Sequence, residues 1–81
     1  MEKRISIISI LVEDLSSAAA INKLLHEYGA YIIGRLGLPY RERGISIICV
    51  VLEAPLNVAN SLSGKIGMLQ GVSAKTVTAK A

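Results

Sequence analysis

The chain holds one histidine, His26, and one cysteine, Cys49, and these bound its chemistry tightly. Structural zinc takes four Cys or His ligands, so a standard zinc site cannot be built within one copy, and an internal disulfide is excluded. His26 stands beside Glu27 in what reads as the last turns of a helix, where the dipole favours a charged imidazole; the ordinary alternative to a ligand is a solvated surface side chain. Cys49 sits among Ile and Val, where a thiol behaves as a small, inert hydrophobe. Glu13 and Asp14 are adjacent, so they project differently and do not form an acid–base pair. No nucleophile stands with its base, and no phosphate-cradling loop or dinucleotide fingerprint is present. We therefore expect no catalytic residues, no metal site, no cofactor and no enzyme activity.

The remaining polar cluster is Arg35, Tyr40, Arg41 and Arg43, with Glu42 between the last two arginines. Planar guanidinium groups grip carboxylates and other anions through paired N–H donors, so this cluster could hold an anion or an acidic partner surface. The alternative is a solvated basic hairpin. Net charge is only +3, the other cations are spread thinly, and Trp and Phe are absent. A nucleic-acid surface normally shows denser basic charge or stacking aromatics, so direct DNA or RNA binding is not expected.

These residues must be positioned by few elements, because 81 residues make one small domain. Residues 5–12 (ISIISILV) and 45–52 (ISIICVVL) are apolar on both sides of a strand. Ile8, Ile10 and Val12 fall on one side of the first, Ile5, Ile7 and Leu11 on the other. The second divides into Ile48, Val50 and Leu52 against Ile45, Ile47, Cys49 and Val51. A strand with one wet face alternates, so both segments demand cover on two sides. Between them, Asp14 or Ser16 can cap a helix bearing Ala18, Ile21, Leu24, Leu25 and Tyr28, and Gly29 is placed to end it in a left-handed cap. Residues 31–38, interrupted by Gly34, Arg35 and Gly37, suit an edge strand, and residues 39–44 a hairpin connection with Gly44 free to take positive φ. After Pro55, Asn57 reads as the N-cap of a second helix with Val58, Leu62, Ile66 and Leu69 on one stripe. Gly64 and Gly67 should fray its second half. Gly71 turns into a more polar last strand over residues 72–79.

The order βαββαβ predicts an α+β, ferredoxin-like sandwich: a four-stranded antiparallel sheet, order 4-1-3-2, with both helices on one face. The two doubly apolar strands then take the centre, and one sheet face is left uncovered. Leaving it wet would expose a contiguous aliphatic patch, so a homo-oligomer, dimer or tetramer, is expected, with Ile10, Ile47 and Cys49 as candidate interface residues. A membrane protein is not expected, because every apolar run is broken well short of roughly 18 residues. The apolar run after Met1, Glu2, Lys3 and Arg4 lacks a small-residue cleavage site, so the expected location is cytoplasmic.

The stretch from Leu11 through Val12, Glu13, Asp14, Leu15, Ser16 and Ser17, followed by an Ala/Ile/Leu helix and then Gly29, Ala30, Tyr31 and Ile32, resembles the opening of an ACT domain. More closely, LLHEYG at residues 24–29, IIGR at 32–35, PYRERG at 39–44 and LSGK at 62–65 resemble the iron-only hydrogenase system regulator family, small bacterial proteins whose ACT-like fold is similar to the C-terminal domain of the nickel-responsive repressor. The resemblance covers nearly the whole chain. It implies a non-enzymatic regulatory or sensor domain that takes a small effector at a subunit interface, near Glu13, Asp14, Ser16 and Ser17 and the Gly29 and Tyr31 segment. Two departures narrow it. Leu15, Ser16 and Ser17 stand where the ACT turn carries Pro-Gly, and His26 and Cys49 cannot replace the several histidines and cysteine of the nickel repressor. The competing expectation is a ligand-free assembly module that docks on a protein partner through the Arg-rich hairpin.

Overall fold

The computed structural model describes residues 2–80. Along the chain run β1 (Lys3–Val12), a 3₁₀ turn (Leu15–Ser17), α1 (Ala18–Glu27), a second 3₁₀ turn (Gly29–Tyr31), β2 (Ile32–Tyr40), a third 3₁₀ turn (Arg41–Arg43), β3 (Ile45–Pro55), α2 (Leu56–Gly67) and β4 (Val72–Thr78). The sheet is antiparallel in the order β2-β3-β1-β4. The expected ferredoxin-like sandwich is the fold, with the two most apolar strands in the centre.

Burial alternates strictly along β1. Ser6, Ile8, Ile10 and Val12 are buried, while Ile5, Ile7, Ser9 and Leu11 are exposed. The same face of β3 buries Ile48, Val50, Leu52 and Ala54. Both helices lie on this face, contributing Ile21 and Leu25 from α1 and Ala59, Leu62 and Ile66 from α2. The core is aliphatic throughout, and each fully buried side chain stabilises by roughly 1.5–3 kcal/mol relative to exposure. The one buried hydroxyl of β1, on Ser6, is satisfied by Thr78 Oγ1 at 2.9 Å across the β1–β4 ladder.

Several local expectations are corrected by backbone geometry. Gly29 is not a left-handed cap; positive φ occurs only at Gly44 and Gly71 among the described residues. Instead the Tyr28 N–H donates to Leu24 O and the Tyr31 N–H to Tyr28 O, so α1 passes directly into a tighter turn. Asn57 does not cap α2, which begins at Leu56 with Pro55 in the cap position, leaving Asn57 within the first turn. Nor does α2 fray at Gly64: the Met68 N–H still donates to Gly64 O, because Leu62 and Ile66 anchor that half in the core. Pro39 lies inside β2 rather than in the connection, opposite Ser46, and is tolerated because β2 is an edge strand with one unpaired side.

The two helices meet through a polar contact on their outer surface. Lys65 Nζ donates to the Tyr28 phenol oxygen at 3.0 Å and sits 5.3 Å from the ring centroid, and Ser61 Oγ lies 3.1 Å from the same phenol. The Lys65 ammonium, and then the Ser61 hydroxyl, hold the Tyr28 phenol below its ordinary pKa. In Lys65→Met the Tyr28 transition is expected to move back up toward the usual tyrosine range. Tyrosinate absorbance, taken as the difference from Tyr28→Phe, reads it, and an unmoved transition would show that the ammonium does not set it.

Candidate functional site

The sheet face opposite the helices is left uncovered within one copy. From β1 it carries Ile5, Ile7 and Leu11, and from β3 Ile47, Cys49 and Val51. The edge strands add to it. Leu36 stands opposite Cys49, Leu38 opposite Ile47 and Tyr40 opposite Ile45, while Val77 stands opposite Ile7. Leu36 is 65% exposed, Leu38 56% and Val77 69%, against 39% for Ile47. Cross-strand neighbours on one face lie about 5 Å apart, so these side chains form one continuous apolar surface. Lys3, Glu53 and Lys75 share this face, and between β1, β3 and β4 it dips into a shallow hollow of about 400 Å³ beside Leu11, Ile47 and Val77. Of the three interface residues expected from sequence, Ile47 and Cys49 belong here. Ile10 does not: it is 1% exposed and lies in the core beneath the helices.

The edge contribution was missed because Gly34, Arg35, Gly37 and Pro39 made β2 look interrupted. The signal was present as the i, i+2 spacing of Leu36, Leu38 and Tyr40, shifted in phase by an irregularity at Ile32/Gly34 that leaves Ile33 unpaired in the register.

The turn after β1 is knitted inward. Asp14 Oδ1 accepts the Ser16 hydroxyl at 2.6 Å and the Ser16 backbone N–H at 3.0 Å, and these two bonds, in that order, lower the Asp14 pKa from its ordinary value. The Ser17 hydroxyl is buried and donates to Gln70 O at 2.7 Å, while the Glu13 N–H donates to Gly71 O at 2.7 Å. Gly71 takes φ +68°, and a Cβ there would fall 2.5 Å from Asp14 Cβ. Segments 13–17 and 69–72 therefore form one clamp. Ser17→Ala would leave Gln70 O without that bond, and a loss of roughly 1–2 kcal/mol in chemical denaturation is expected; an unchanged midpoint would mean water replaces the hydroxyl at no cost.

Gly29 and Tyr31 are not near this clamp. They lie beyond the other end of α1, whose ten residues span about 15 Å, so one copy does not offer both segments to one small ligand. The arginine cluster also divides. Tyr40, Arg41 and Arg43 stay exposed at the hairpin, with the Tyr40 hydroxyl at 3.4 Å from Glu42 Oε2. Arg35 instead turns to the helix side, where its Nη2 donates to Asn22 Oδ1 on α1 at 3.2 Å. There it joins Asn22, Leu25, His26, Gly29 and Ile32 around a cleft of about 420 Å³. Among the described residues no cluster of three or more His, Cys, Asp or Glu side chains could hold a metal ion, and no helix is long and apolar enough to cross a membrane.

Known proteins share this architecture to different depths. The model of the TM1266-like family, described as "Iron-only hydrogenase system regulator, putative", matches residues 4–76. The solved structure of the uncharacterized protein TM1266 from Thermotoga maritima is 42% identical in sequence and superposes with a TM-score of 0.91, over 98% of this chain and 100% of that one. A formyltetrahydrofolate deformylase from Pseudomonas putida KT2440 is 14% identical with a TM-score of 0.66, over 90% of this chain but 28% of the enzyme, a likeness of fold alone. No curated protein matches the chain.

Proposed function

The chain belongs to the TM1266-like family of iron-only hydrogenase system regulators, and from that membership we propose that it is a non-enzymatic regulatory module acting as a homo-oligomer through its uncovered sheet face. The observation that carries this is the exposure of Leu36, Leu38, Ile47 and Val77 on one continuous surface. Soluble chains rarely leave such a patch in water. A second copy is the fitting cover, because an isologous contact sets the same aliphatic surface against itself. As a regulator it would answer to a small effector. The clamp at residues 13–17 spends Asp14 and Ser17 on internal bonds, so those groups hold the fold rather than a ligand within one copy.

Sedimentation equilibrium at low micromolar concentration tests the assembly: a dimer or tetramer is expected, and a well-behaved monomer would overturn it. The hydrogenase link is tested in the host, where loss of the gene should change iron-only hydrogenase levels; unchanged levels would remove that link. The competing reading, docking on an acidic protein through Arg41 and Arg43, is favoured by their exposure beyond the helices. It would gain if the sedimenting species were a monomer.

A further inference from the structure

We propose that the cleft between α1 and β2 binds a small organic carboxylate with a short apolar tail. This deepens the regulatory reading by naming its effector class, and it rests on that reading only for the biological use of binding. The cleft has two chemically distinct parts. Its floor is apolar: Leu25 is 3% exposed and Ile32 half-buried, and both belong to or pack on the core. Its rim is made of donors. Asn22 and His26 are four residues apart on one face of α1, and Arg35 reaches across from β2. No Asp or Glu lines it.

Arg35 is the centre of the argument. Its guanidinium gives one N–H to Asn22 Oδ1 and, among the described residues, lies within salt-bridge distance of no carboxylate; the ion pair found there is Arg4 with Glu2. Asn22 thus holds one edge of the planar fork while Arg35, as a lining residue of the cleft, keeps further N–H donors for a carboxylate, which a guanidinium can take in two parallel bonds. His26, in the last turn of α1, lines the same cleft and brings an imidazole to its rim. At Gly29 an added Cβ would meet nothing within 4 Å, so the mouth is open. The volume, about 420 Å³, lies within the range usual for small-molecule sites. An oxyanion alone would use only the rim; the Leu25 and Ile32 floor selects an anion that brings apolar atoms with it.

The test is a titration of the full-length ¹⁵N-labelled protein with sodium butyrate at constant ionic strength, followed by amide shifts, with butyramide and inorganic phosphate as comparison ligands. Saturable shifts centred on Asn22, His26, Gly29 and Arg35 are expected, with butyramide silent and phosphate weaker than butyrate. Arg35→Gln, an exposed position, should keep the remaining spectrum and weaken butyrate about tenfold or more. Shifts that track Arg41 and Arg43 equally, an unchanged affinity in Arg35→Gln, or equal binding of butyramide would overturn the site. Phosphate binding as tightly as butyrate would overturn the tail-binding assignment. Sedimentation of the same samples separates the two ideas: a monomer that binds butyrate keeps the site and removes the assembly, and an oligomer that ignores butyrate removes the site alone.

Discussion

Gly71→Ala is expected to lower the melting temperature by roughly 10–25 °C, on a scale where 1 kcal/mol shifts a domain of this size by about 4–8 °C. Two costs combine. The residue holds φ +68°, where a Cβ is strained by about 1 kcal/mol. The new methyl would also lie 2.5 Å from Asp14 Cβ and 2.9 Å from its backbone nitrogen, so the clamp between segments 13–17 and 69–72 must open. Opening it strains the Glu13–Gly71 and Ser17–Gln70 bonds together. Gly44→Ala is the control: its φ is +64° but an added Cβ meets nothing within 4 Å, so only the conformational cost of about 1 kcal/mol should appear. Thermal unfolding of the two variants side by side isolates the clash. Equal losses would show that the clamp yields freely and that only the dihedral matters.

A carboxylate at Ile47 and one at Ile10 should behave as opposites, although the two residues occupy neighbouring central strands. Ile10→Asp puts a charge at a site 1% exposed, in the core on the helix-covered face, and such burial costs several kcal/mol against a total stability of about 5–15 kcal/mol for a domain. Loss of the folded state at room temperature is expected. Ile47→Asp leaves the carboxylate in water within one copy, so the circular dichroism of the fold should survive while the sedimenting species falls to a monomer. Facing a second copy, that same charge would be desolvated against Leu11 and Leu38, its cross-strand neighbours. If Ile47→Asp remains fully associated, the sheet face is not the contact. If Ile10→Asp folds normally, the assignment of faces is wrong.

That pair of residues also shows where sequence stops being informative. Alternation separates Ile8, Ile10 and Val12 from Ile5, Ile7 and Leu11 without ambiguity, and the structure keeps those sets apart. It cannot label which set the helices cover, because both are equally aliphatic, and so sequence offers Ile10 and Ile47 alike as interface candidates until burial separates them. The element order, the central placement of the apolar strands and the positive φ of Gly44 were legible because each follows from local chemistry. The intact second half of α2 and the place of Pro39 inside β2 were not legible for a common reason: tertiary neighbours decide both. Buried Leu62 and Ile66 hold α2 against its glycines, and the unpaired side of an edge strand accommodates Pro39. For the candidate sites, strand phase puts Ile47 and Cys49 on one side of β3 and leaves open whether the helices cover it. The gathering of Asn22, His26 and Arg35 was not legible, because it depends on how β2 crosses the end of α1, a non-local fact.

The bond between Ser6 and Thr78 joins residues 72 apart in sequence, across a ladder that, with β3 on the other side, flanks β1 with strands from later parts of the chain. Closing a loop of that length costs on the order of 4 kcal/mol of chain entropy before any contact returns it. With β3 on one side and β4 on the other, the backbone of β1 is covered along both edges. The amides of β1 should therefore be the last to exchange with solvent, while the edge strand β2, exposed along most of its length, should exchange first.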